Sequence, residues 1–146
     1  MKDLVSLLGV PDRKGELEQA LALAPSPGNA VAALHRLAQS GGGDALASWP
    51  RARLSDLVAV LGSSQAAVRQ LVAMGPDWVE TASSYARAGP GREKLAQEAR
   101  ELDGEGPAEL AAGLRRLAGR ETYRLGARDL LGLAPLEETL GGLSDL

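Results

Sequence analysis

The sequence predicts an all-α protein, a single helical bundle of about seven or eight helices with an arginine-rich helix at its centre. Three observations carry that expectation. Gly and Pro cut the chain into helix-length segments joined by short loops. Apolar residues inside the segments recur at i, i+3, i+4 and i+7, with no strand-like alternation. The interior must be built from Leu, Val and Ala, because Trp49, Trp78, Tyr85 and Tyr123 are the only aromatics.

The first helix runs from Lys2 to Leu8 and halts near Gly9–Pro11. A second, about Arg13 to Leu23, places Leu17, Ala20, Leu21 and Ala24 on one side. Ser26 followed by Pro27 reads as an N-cap with proline at the first helical position. The helix it opens reaches about Ala38 and buries Val31, Leu34 and Leu37, and Gly41–Gly43 breaks the chain. Leu54, Leu57, Val58 and Leu61 form the next stripe, which Gly62 is expected to end as the residue after the C-cap. Ser63 then re-caps a helix carrying Val68, Leu71 and Val72 to Met74. Gly75–Pro76 closes it and opens another with Trp78, Val79, Ala82 and Tyr85. Beyond Gly89–Gly91 comes a charged helix with Leu95, Ala99 and Leu102. Gly104–Pro107 leads to the long arginine helix, about Pro107 to Leu131. Leu136, Leu140, Leu143 and Leu146 then mark one face of a last helix, expected to be buried. No stop signal follows that stripe, so the 146 residues are expected to be one helical domain cut from a longer polypeptide.

Composition narrows the function. The formal charge is −3, which argues against a general nucleic-acid binder. No cysteine is present, so disulfides, thiol nucleophiles and thiolate metal sites are excluded, in keeping with a cytoplasmic setting. No apolar run reaches the length of a membrane span and no signal-peptide core opens the chain. Of the 16 basic residues only Lys2, Lys14 and Lys94 are lysine, a bias read as genomic.

The arginine helix holds the candidate site. Arg116, Arg120, Arg124 and Arg128 are four apart, so at about 100° per residue the row drifts about 40° per step. Arg116 starts well off the Leu110, Leu114 and Leu117 face, and Arg128 arrives on it, in line with Leu110 and beside Glu121. Gly113, Gly119 and Gly126 together cost such a helix about 2.5–3 kcal/mol against alanine. Ala112, Gly119 and Gly126 would line a groove for a neighbouring helix. Two readings follow. As a scaffold, the arginines pair with Glu121, Asp129 or the acidic segment Glu98–Glu109. As a site, their guanidinium forks bind a phosphate or a partner's carboxylates. Composition favours the scaffold.

Other signals are weaker. Leu54 to Val72 also reads as helix-turn-helix, which would present Ser64, Gln65, Arg69 and Gln70 to DNA. Few cations lie nearby, and phosphate neutralisation by several cations supplies baseline affinity. His35 has no carboxylate in helical register and reads as a packing or surface residue. Gly89 to Lys94 lacks the Gly-Lys-Ser/Thr ending of a phosphate loop. Glu137–Glu138 suits a helix N-terminus. No catalytic residue and no metal-ligand cluster is expected.

The run from Arg115 to Leu146 resembles the segment that precedes the nucleotidyltransferase domain in glutamine synthetase adenylyltransferases. The matching residues are Arg115, Arg116, Arg120, Glu121, Arg124, Arg128, Asp129 and Leu130, then Leu136–Glu138, Leu143, Ser144 and Leu146. Upstream, Leu61 to Glu80 is similar to the family's Gly-x-Ser helix and its Pro-acid dipeptide. The resemblance covers about residues 27–146. It implies a parent enzyme that moves AMP on and off glutamine synthetase under a PII signalling protein, using ATP and Mg(II). The family's Asp-x-Asp metal site is missing here. The resemblance therefore implies a non-catalytic helical region that needs no cofactor of its own and is inactive alone. Its expected partners are the nucleotidyltransferase domain, glutamine synthetase and PII, with no membrane and no nucleic acid. Gly113, Gly119 and Gly126 depart from the pattern. The alternatives are a stand-alone helical interaction module and a helix-turn-helix regulator.

Overall fold

A computed structural model of the chain describes residues 2–8, 11–47, 51–88, 92–102 and 106–144. Ten α-helices and no strand are found among them: α1 (Lys2–Leu7), α2 (Lys14–Leu23), α3 (Pro27–Leu37), α4 (Gly43–Ala47), α5 (Arg51–Ser63), α6 (Gln65–Met74), α7 (Pro76–Ala88), α8 (Arg92–Glu101), α9 (Pro107–Leu130) and α10 (Leu136–Ser144). The chain is all-α, with more helices than the seven or eight expected. One added element is α4, which Gly41–Gly43 was expected to leave out. Gly41 alone takes the left-handed conformation (φ 91°), inside a π-type stretch Ala38–Gly42, and the helix resumes at Gly43. One glycine absorbs the whole kink. Gly104, Leu146 and Trp49 lie outside the described residues, as does the Gly89–Gly91 linker.

Contacts cluster into two compact units, 1–84 and 85–146, with the boundary inside α7. In the first, α2, α3, α5 and α6 pack together, with α1 against α3. Their interior is the aliphatic set the periodicity selects: Leu17, Leu21, Leu34, Leu37, Leu54, Leu57, Val58, Leu61, Val68 and Leu71 are buried. Arg13 donates to the carbonyl of Leu46 (3.2 Å) and to Glu16 (3.0 Å), which ties the short α4 back to the start of α2.

Gly62 was expected to terminate a helix and does not. It lies within α5, and a Cβ there would stand 3.1 Å from the Ser26 carbonyl oxygen and 3.4 Å from the Ala24 Cβ. Close approach of α5 to the α2–α3 turn, rather than chain reversal, explains the glycine. The cap comes two residues later. Ser64, extended at φ −138°, accepts a 3.2 Å hydrogen bond from the backbone N–H of Ala67 and opens α6. Ser63 instead donates to the carbonyl of Ala59. Ser26 and Pro27 do stand at the N-cap and first positions of α3, although the Ser26 hydroxyl makes no capping bond.

In the second unit, α8 and α10 both pack on α9. Gly106 and Pro107 start α9. Its end is a Schellman closure around Gly132 (φ 64°): the Gly132 N–H donates to the Asp129 carbonyl (3.0 Å) and the Leu133 N–H to the Arg128 carbonyl (2.8 Å). Leu114, expected on the buried face, is exposed. Gly113, about 100° round the helix from it, is the residue that meets α8's end, where a Cβ would fall 2.7 Å from Leu102. The expected small-residue groove is likewise incomplete: Gly119 is buried, but Gly126 is exposed, with open space where a Cβ would point.

The face of α10 also differs from expectation. Leu136, Leu140 and Leu143 are 62%, 56% and 48% exposed, whereas Thr139 is buried. A Cβ at Gly142 would lie 2.5 Å from a methyl of Leu125. The helix is therefore rolled so that Gly142, not its leucines, meets α9.

Candidate functional site

Glu121 anchors the polar part of the second unit. It is 1% exposed, and a carboxylate so far from water needs donors on both oxygens. One oxygen accepts from the Tyr85 hydroxyl at the end of α7. The other accepts from Arg124 Nε at 2.8 Å, one helical turn on, and that arginine side chain is itself only 14% exposed. Burial, then the hydrogen bond to the Glu121 carboxylate, pushes the Tyr85 phenol well above its usual range. The phenol therefore remains a donor at any ordinary pH.

Arg120 sits one residue before Glu121 and so faces a different neighbour. It is ion-paired with Glu98 on α8, and its guanidinium carbon lies 5.6 Å from the centroid of the Tyr85 ring, within cation–π range. Arg128 completes the row. Its Nε and Nη2 both donate to Oε1 of Glu138 on α10 (3.1 and 2.9 Å). Nη1 reaches the carbonyls of Ala86 and Arg87 at the end of α7 (3.3 and 3.2 Å), and Nη2 that of Leu133 (3.3 Å). Those α7 carbonyls lie in the last turn, where helix C-termini leave acceptors unfilled.

The four candidate arginines are thus placed in two ways. Arg120 and Arg128 link α9 to α8, to α10 and to the end of α7 within the second unit, while Arg124 holds Glu121 inside α9 itself. Arg116 is exposed, with Arg115 beside it. Asp129, a candidate counter-charge, is exposed, and the acid that serves Arg128 is Glu138 instead. Glu98 belongs to the acidic segment expected to balance the helix. Sequence reading did not single out Tyr85. The one clue to it is chemical: a buried glutamate needs a donor that no neighbour on its own helix provides on the second side.

Elsewhere, α5 and α6 are bent by 118° across Ser64, and Gln65 and Arg69 are exposed beyond that corner. His35 is half-buried on α3. No single described helix is long and apolar enough to cross a membrane. Among the described residues no three His, Cys, Asp or Glu side chains gather as a metal site would need.

Fold and site together define an all-α chain whose arginine helix is braced by carboxylates and helix-end carbonyls. No family model, curated protein or solved structure matches it.

Proposed function

We propose that this chain is a non-catalytic helical region of a glutamine synthetase adenylyltransferase-like protein, acting in the cytoplasm to buttress a nucleotidyltransferase domain. The observation that carries the reading is what the fold does with the residues that bear the resemblance. Arg120, Glu121, Arg124, Arg128 and Glu138 are the ones recruited into the bracing network. A motif held for that purpose makes a rigid element on which a catalytic neighbour can be seated. Within this reading Arg124 and Arg128 set the stiffness of α9, and Arg116, in solvent beside Arg115, is the candidate arginine available to glutamine synthetase or a nucleotide phosphate. ATP and Mg(II) belong to the catalytic domain, and PII acts on the assembled parent.

The test mixes the purified chain with glutamine synthetase, ATP and Mg(II), with and without a nucleotidyltransferase domain of that family lacking its own helical region. The chain alone is expected to transfer no AMP, and the mixture to form a complex with raised AMP transfer or removal. Failure to bind either the domain or glutamine synthetase overturns the reading.

A second reading rests on the α5–α6 corner, whose bend falls in the range of DNA-binding helix pairs. Its exposed cations are few, Arg53 and Arg69 among the described residues of the two helices. A gel shift that weakens with salt would favour it.

A further inference from the structure

The exposed leucines of α10 are a surface that the arginine network does not use. Leu136, Leu140 and Leu143 form one stripe on a two-and-a-half-turn helix, and each is about half exposed or more. Scattered single leucines need no explanation, but three in helical register on one face present a groove-filling ridge. The segment that carries them is one-sided in charge. From Asp129 to Leu146 the sequence holds Asp129, Glu137, Glu138 and Asp145 and no lysine or arginine. Glu138 is neutralised by Arg128 on the far side of the helix. Glu137 is exposed, about 60° round from Leu140, and so borders the stripe directly. Asp129 is exposed at the end of α9, next to exposed Leu130.

We infer that the outer face of α10 docks an amphipathic helix of another polypeptide, one whose apolar stripe is bordered by lysine or arginine. The leucines provide the apolar contact, read as i, i+4 and i+7 anchors. Glu137, bordering the stripe in a segment with no lysine or arginine, provides the charge that selects a cationic partner. A second copy meeting the same face would bring a segment of the same acidic composition, which offers Glu137 no lysine or arginine between Asp129 and Leu146. An anionic lipid surface is disfavoured for the same reason.

The experiment uses the whole chain and two fluorescent helical peptides about 18 residues long, with identical leucine stripes and either lysine or glutamate flanks. Anisotropy titrations are expected to show the lysine peptide binding about ten-fold or more tighter, with the preference shrinking between about 50 and 500 mM salt. Leu140→Gln is expected to abolish binding while leaving the melting temperature within a degree or two, because the side chain is exposed. Glu137→Lys is expected to narrow or invert the preference. Equal binding of the two peptides, binding that survives Leu140→Gln, or no binding overturns the inference. So does a dimer in sedimentation that Leu140→Gln disperses, which would make the occupant a second copy. Association with anionic vesicles in place of the peptide would make it a membrane, and equally refute it.

Discussion

Oε1 of Glu138 accepts both the Nε and the Nη2 hydrogens of Arg128, so one carboxylate oxygen joins α10 to α9. The remaining nitrogen of the same guanidinium turns to the last carbonyls of α7. A single side chain thus ties α9, α10 and the end of α7 together.

Arg128→Ala should lower stability by about 2–4 kcal/mol, because four acceptors lose a charged donor at a site 16% exposed. Arg128→Lys should recover only part, since an ammonium lacks the planar fork. Glu138→Gln should cost less, about 0.5–1 kcal/mol, because that carboxylate is half exposed. Urea denaturation of the three variants checks the order.

Tyr85→Phe should cost about 1–3 kcal/mol at neutral pH by leaving a buried Glu121 oxygen without its donor. It should also alter the alkaline limb. The folded state raises the phenol's affinity for its proton above the unfolded value near 10. That contribution is whole below about pH 10 and is lost as pH climbs toward the folded-state value. Wild-type stability should therefore fall more steeply above about pH 10 than that of Tyr85→Phe. Urea melts from neutral pH upward, with tyrosinate absorbance recorded alongside, test the difference.

Glu121→Ala should be more damaging than either, about 3–5 kcal/mol, because it strands Arg124 in a largely covered position. Glu121→Gln keeps an acceptor for Tyr85 and should lie between wild type and alanine. Thermal melts followed by circular dichroism decide it.

The glycines of α9 and α10 should split by environment. Gly126→Ala meets nothing within 4 Å and should stabilise by about 0.5–1 kcal/mol. Gly142→Ala drives a methyl into Leu125, a buried side chain with little room to move, and should destabilise by about 1–3 kcal/mol. Opposite signs in paired melts are the expected result.

Helix class and most breaks were legible because they are local properties. Gly75 (φ 87°) and Gly132 (φ 64°) sit at the breaks between helices, and the Leu17, Leu34, Leu57 and Leu71 stripes are buried as their spacing demands. What escaped is non-local. Gly62 looks like a terminator in sequence and is a contact in space, since its meaning depends on Ser26, 36 residues earlier. Leu136, Leu140 and Leu143 have the period of a buried face, yet Gly142 and Glu138 decide which way α10 rolls. For the candidate site, the acidic segment and Glu121 were visible as counter-charges. The carbonyls of Ala86 and Arg87 were not, because no side-chain pattern announces a backbone acceptor about forty residues away.

The closure at Gly132 has a kinetic corollary. Its two backbone bonds span only three and five residues, and the Arg128–Glu138 link only ten. Such short loops close with little entropic penalty and within the fast regime of chain collapse. The α9–α10 corner is therefore expected to close early in refolding, ahead of the 41- and 42-residue links that bring Arg128 to the end of α7.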